Sequence, residues 1–171
     1  MNRPLTDEYP EYYNAYINLV KDGDIIDILE EQSTFVQGFL NGIPEDLGDK
    51  AYAFGKWTLK ETIGHMIDVE RIMAYRFLRI VRGDKQPMPG FDQDEYVLNG
   101  KFFRRNIKSL IDEKLLVRAA NFIFFKNTDP DDLMLRGTFN DIEISARALL
   151  YIIAGHELHH VGFIKENYLS S

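Results

Sequence analysis

Thr58 and Glu61 open a run in which Ile63, Ile67, Ile72, Met73 and Val81 recur at helical spacing, and the run stops at Gly83. A hydroxyl three residues ahead of a carboxylate is a capping box, in which each side chain satisfies a backbone N–H that the first helical turn leaves without a partner. The apolar positions share one face, and that face has to be buried against something. Three more segments read the same way. Asp24 is an N-cap for a helix through Ile25, Ile28, Leu29, Phe35, Val36 and Phe39, ended by Asn41-Gly42 and Pro44. Lys101 to about Lys126 carries Phe102, Ile107, Leu110, Ile111, Leu115 and Phe122, and a last helix runs from near Ser145 to about Tyr168. Four helices of ~20 residues are each ~30 Å long, and strand signals are nearly absent. The pattern predicts an all-α fold, a four-helix bundle with long helices.

Residues 1–171 are expected to form one domain, with 1–22 as an N-terminal strap and 23–171 as the bundle. The stretch from Glu8 to Val20, rich in tyrosine (Tyr9, Tyr12, Tyr13, Tyr16) and interrupted by Pro10, reads as a short helix or strap packed over the bundle. Gly83 to Asp92, with Pro87, Pro89 and Gly90, reads as a loop, and Asn127 to Asn140 as a polar, turn-rich connection.

Composition narrows the chemistry. There is no cysteine, which excludes disulfides, thiolate metal ligands and a cysteine nucleophile together. The net charge is −7, from 20 basic and 27 acidic residues, and no basic block offers a footprint for phosphate backbones, so no nucleic-acid partner is expected. Arg71, Arg76, Arg79 and Arg82 stand among acidic neighbours on one helix and read as a solvated or ion-paired face. For Arg76 a structural salt bridge is the first reading and an anionic substrate the second. No apolar run approaches the ~20 residues a bilayer span needs. Met1-Asn2-Arg3-Pro4 leads into acidic Asp7-Glu8 without an apolar segment, so the expected compartment is the cytoplasm.

The four histidines are His65, His156, His159 and His160. On a helix, positions i and i+4 lie a turn apart on one face, so His156 and His160 can aim their imidazoles at one point. Metal sites use that spacing, because two nitrogens must come within ~2 Å of one ion. His159 is rotated away from this face. The segment His156-Glu157-Leu158-His159-His160 also fits the zinc-protease pattern, but positions 163 and 166, where a metzincin needs glycine and histidine, hold Phe163 and Glu166. Only eleven residues of the sequence follow His160, so a third ligand is expected upstream. His65, mid-way along another helix, is the remaining histidine. Bland readings compete: a lone histidine on an apolar face is more often a hydrogen-bonded core residue, and exposed i, i+4 pairs arise by chance. Glu61 and Asp68 flank His65 on its helix, and either could fix its tautomer through the spare N–H. Glu157 lies beside the His156–His160 stripe and is the candidate catalytic base toward water on the metal. For all three carboxylates the competing reading is an ordinary surface or capping group.

The run Gly55-Lys56-Trp57-Thr58-Leu59-Lys60-Glu61-Thr62-Ile63-Gly64-His65-Met66-Ile67-Asp68-Val69-Glu70-Arg71 resembles the DinB-like (DinB/YfiT-like) superfamily. So do Tyr75-Arg76-Phe77-Leu78-Arg79, Pro89-Gly90-Phe91-Asp92 and Gly155-His156-Glu157-Leu158-His159-His160. The resemblance implies a four-helix bundle that holds a divalent metal ion, nickel or zinc, on three histidines, which map onto His65, His156 and His160. It also implies homodimers, and activities that include bacillithiol-dependent S-transfer, a mycothiol-dependent isomerisation and metal-dependent hydrolysis.

Three histidine ligands leave a coordination position open, the arrangement of a catalytic metal. Two reactions on a small-molecule substrate follow. The ion either activates water for hydrolysis or holds a low-molecular-weight thiol as thiolate for transfer to an electrophile. A reading of another class, a metal-binding or stress-response interaction module without catalysis, stays open. The loop from Pro87 to Tyr96, with Asp92, Asp94 and Tyr96, either lines a substrate pocket or is an ordinary surface connection.

Overall fold

A computed structural model describes residues 2–139 and 141–170; Met1, Asn140 and Ser171, included in the readings above, lie outside the described residues. Six α-helices and one hairpin follow in chain order: α1 (Asn14–Ile17), α2 (Ile25–Asn41), α3 (Leu59–Val81), α4 (Gln93–Gly100), α5 (Ile107–Lys126), β1 (Arg136–Phe139), β2 (Ile142–Ser145) and α6 (Ala146–Ile164). The bundle is α2, α3, α5 and α6. The main partners of α3 are α5 and α6, and those of α2 are the same two, so α2 sits across the bundle from α3 and α5 across from α6.

Local chemistry sets the helix starts. The Thr58–Glu61 capping box forms as read: Thr58 N donates to Glu61 Oε2 at 2.7 Å, and Glu61 N to Thr58 Oγ1 at 3.2 Å. Asp24 accepts from Ile26 N at 2.9 Å and Ser145 from Ala148 N at 3.0 Å. A cap of this kind contributes about 1 kcal/mol.

Two expectations are corrected. The third helix does not begin at Lys101. Asp92 caps a separate helix, α4, whose first turn is acidic, and Lys101 ends it in a left-handed conformation (φ 51°). A 3-10 turn, Phe102–Arg104, follows, and Asn106 then caps α5 by accepting from Ser109 N at 2.7 Å. The polar stretch after Asn127 also holds structure, for β1 pairs antiparallel with β2, Phe139 opposite Ile142. Asp141, in the hairpin turn, has φ 59°, a conformation tight hairpins demand and Asp tolerates. The hairpin holds the long loop: Met88 N donates to Thr138 O at 2.9 Å.

The apolar core comes in two clusters. One joins the N-terminal halves of α2 and α6 to the C-terminal half of α3; the other joins the opposite halves of the same helices. Hence α3 runs antiparallel to α2 and α6. Between the clusters lies a buried polar layer, formed by Gln32, His65, Glu70, Lys114, Arg118, His156, Glu157 and His160.

The N-terminal strap, a 3-10 turn (Glu11–Tyr13) running into α1, lies directly on α6. A β-carbon at Gly155 would sit 2.1 Å from the Tyr16 carbonyl oxygen, so glycine is what lets the two backbones touch. At its start the strap is fixed by buried Glu8, which accepts from Ser145 Oγ at 2.7 Å and pairs with Arg147.

Candidate metal centre

His65 comes from the second turn of α3, nearer its start than the mid-helix position expected, and His156 and His160 from successive turns of α6. Antiparallel packing of those helices brings the three rings to one point. His65 Nε2 lies 3.2 Å from His156 Nε2, and His160 Nε2 lies 3.1 Å from the same atom. The three rings are buried, at 4%, 8% and 8% exposure. Each of the first two follows a glycine that admits a neighbour: Gly155 admits the strap, and at Gly64 a β-carbon would lie 2.4 Å from the Phe102 ring.

Convergence of three Nε2 atoms is poor hydrogen bonding and good ligation. A neutral imidazole carries one N–H, and His156 Nε2 cannot both donate to one neighbour and satisfy the other. A tetrahedral ion with Zn–N bonds of ~2.0–2.1 Å needs nitrogens about 3.3 Å apart. The separations here fit that edge. Burial, reinforced by the neighbouring rings, pushes His160 down to about 3 and His156 well below the ordinary 6.5. His65 is pushed down to about 4, mainly by burial, with the nearby Asp94 carboxylate opposing the shift. All three are therefore neutral near pH 7, the state a ligand requires. His65, His156 and His160 are the one group of potential ligands found among the described residues.

The surroundings differ from the sequence reading in several places. Glu61 is spent on the capping box, and no hydrogen bond joins it or Asp68 to His65 among the described residues. The buried His160 Nδ1 has no hydrogen-bond partner among them either. Glu157, the candidate base, points into the polar layer rather than at the open side of the triad. Its Oε2 accepts from Arg118 Nη1 at 2.8 Å and from Gln32 Nε2 at 2.7 Å, and its Oε1 pairs with Lys114. On the other side of those cations Glu70 accepts from Lys114 Nζ at 2.8 Å and Arg118 Nε at 2.7 Å. Against its burial the two cations hold Glu70 down to about 2. Two carboxylates and two cations, from three helices, balance one another behind the triad. The sequence signal for this was Lys114 and Arg118, spaced i, i+4 within an apolar helix.

The open side of the triad faces a cleft of two lobes. One, of about 440 Å³, is lined by Lys56, Trp57, Asp94, His159 and His160 among others. The other, of about 360 Å³, runs along α3 from His65 past Val69 and Met73 to Arg76, under the strap's Tyr12, Tyr13 and Tyr16. Trp57 covers His65 with ring centroids 4.9 Å apart. His159 stands exposed at the rim shared by both lobes, edge-on to Tyr16 at 5.4 Å. Asp94, in the first turn of α4 rather than in a loop, lines the first lobe, whereas Asp92 is used as a helix cap.

Known proteins share the family's sequence pattern and this fold. The sequence model of the DinB superfamily matches residues 28–164. YfiT from Bacillus subtilis, described as a probable metal-dependent hydrolase with an unusual four-helix bundle topology, superposes with a TM-score of 0.72 at 15% identity, over 95% of this chain and 89% of that one. A mycothiol-dependent maleylpyruvate isomerase superposes with a TM-score of 0.67 at 12% identity, over 84% of this chain but only 59% of its own length. None of the curated protein sequences matches the chain.

Proposed function

The chain belongs to the DinB superfamily, and on that premise we propose that it is a metal-dependent enzyme acting on a small molecule, either as a hydrolase or as a bacillithiol-type S-transferase. The observation that carries this reading is the meeting of three neutral Nε2 atoms at the floor of an open cleft. His65, His156 and His160 would hold a divalent ion, with nickel or zinc as the proposed metal. When bound, such an ion supplies Lewis acidity at its open position, where it lowers the pKa of water or of a thiol.

The remaining roles fall to the chain itself. Trp57 and Tyr16 shield the imidazoles from water on two sides. Asp94 and His159, on the cleft wall, are placed to accept a proton from an incoming nucleophile, the role the sequence reading gave to Glu157. A cleft of two lobes has room for an acceptor substrate in one and a thiol in the other, which favours transfer as the second reading beside hydrolysis. With no cysteine in the chain, that thiol has to come from outside. The fold contains no helix long and apolar enough to cross a membrane among the described residues. We also propose a cytoplasmic homodimer as the working form.

The test uses metal-loaded protein with a chlorodinitrobenzene, with and without bacillithiol, and with a nitrophenyl ester alone. Product that requires the thiol identifies a transferase, and ester cleavage without thiol identifies a hydrolase. Chelation should abolish either activity. Absence of both activities from fully loaded protein would contradict a catalytic role.

A further inference from the structure

Arg76 stands eleven residues after His65 on α3, three turns along, so the two share a face about 16 Å apart along the axis. Val69 and Met73 lie between them on the same stripe and form the floor of the second lobe. Arg76 is 3% exposed, yet no carboxylate is paired with it among the described residues. Its Nη2 donates to Pro89 O at 3.1 Å, its Nη1 faces Met73 Sδ at 3.7 Å, and its guanidinium lies 3.9 Å from the centroid of the Phe139 ring. Every other arginine is different. Arg3, Arg71, Arg79, Arg105, Arg118, Arg136 and Arg147 each pair with a carboxylate, while Arg82 and Arg104 are exposed to water.

Burying a cation is costly unless an anion or a full set of acceptors repays it. One carbonyl and aromatic faces leave most of the five guanidinium N–H groups without an acceptor. The fork is therefore held in place by Pro89 and Phe139 at the end of a tyrosine-roofed lobe with an apolar floor, whose other end is the triad. We propose that Arg76 is the anchor for a carboxylate-bearing ligand, with the carboxylate on the guanidinium and an apolar body lying along Val69 and Met73, so that its far end reaches His65 and His156. This deepens the enzymatic reading and rests on it: it names the substrate class as acids with an apolar or aromatic spacer. A planar fork matches a carboxylate through two parallel hydrogen bonds, which lysine does not reproduce.

The experiment is calorimetric titration of the full-length protein, metal-loaded and chelator-treated, with phenylalkanoates of increasing chain length and with the corresponding neutral amides. At least one acid should bind about tenfold or more tightly than its amide. Arg76→Gln should erase that preference, and Arg76→Lys should retain only part of it. Melting curves check that each variant folds; if Arg76→Gln does not, the wild-type acid-to-amide ratio and Arg76→Lys carry the test. Equal affinity for acid and amide across the whole series, or a preference that survives in a folded Arg76→Gln, overturns the proposal. The metal-loaded arm separates the two readings, because acid preference in fully loaded protein that shows neither activity would leave the anchor standing and remove the enzyme; the same preference after chelation shows that the anchor does not need the ion. Bacillithiol supplies the last arm. If it displaces the acid in wild type but not in Arg76→Lys, the carboxylate is the thiol's; if it displaces it in neither, the carboxylate belongs to the acceptor substrate.

Discussion

Glu157→Leu is expected to destabilise the protein by about 3–5 kcal/mol, the loss found when one partner of a buried ion pair is removed. The cause is the charge left behind. Lys114 and Arg118 are both buried and share Glu70 and Glu157 between them, so deleting one carboxylate leaves a surplus cation in a buried layer. Denaturant melts check the size of the loss. Adding Lys114→Met to Glu157→Leu restores neutrality and should recover a large part of it, because balanced apolar replacement of buried ions is often tolerated. If Glu157 were the base of the reaction, Glu157→Gln would instead lower turnover about a hundredfold or more with the fold intact, and the double variant would rescue nothing.

His160→Ala, and His156→Ala beside it, should bring bound metal from about one ion per chain to near none, since two imidazoles rarely retain what three hold. Metal-dependent stability should vanish with it. Ion at a thousandfold excess over Kd stabilises by about 4 kcal/mol, or roughly 8–16 °C in Tm for a chain of this size; the variants should show no such rise. The metal-free wild type should also weaken in acid. The folded-state values of His65 and His160 lie at about 4 and 3, below the ordinary 6.5 of the unfolded chain. Between pH 6.5 and about 4 the unfolded chain therefore takes up protons that the folded chain refuses, and stability falls as pH falls. Unchanged metal content in both variants would show that the ligands lie elsewhere.

What the sequence disclosed and what it hid follow a physical division. Periodicity and caps are local, so the Thr58–Glu61 box, the Asp24 cap and the heads of α3 and α6 were legible to within a residue or two. The meeting of three histidines was legible because i, i+4 spacing puts two imidazoles on one face and only one other histidine stood on a separate helix. Pairings across the bundle left no such trace. Glu157 looks like a neighbour of the ligands along its own helix, and only the packing of α5 shows that Lys114 and Arg118 claim it. The hairpin was missed because two four-residue strands carry too little alternation to stand out from a turn-rich stretch. Arg76 read as one of a charged group on α3; burial under the strap and the Phe139 ring distinguishes it from Arg71, Arg79 and Arg82, which meet acid, aromatic ring or water.

X-ray absorption on the zinc- or nickel-loaded protein counts the imidazoles around the ion. Three histidine nitrogens are expected at about 2.0–2.1 Å, with the open position filled by an exchangeable water or thiol and with the multiple-scattering pattern of imidazole rings. An ion surrounded by oxygen atoms, or by a single imidazole, would contradict the three-histidine centre.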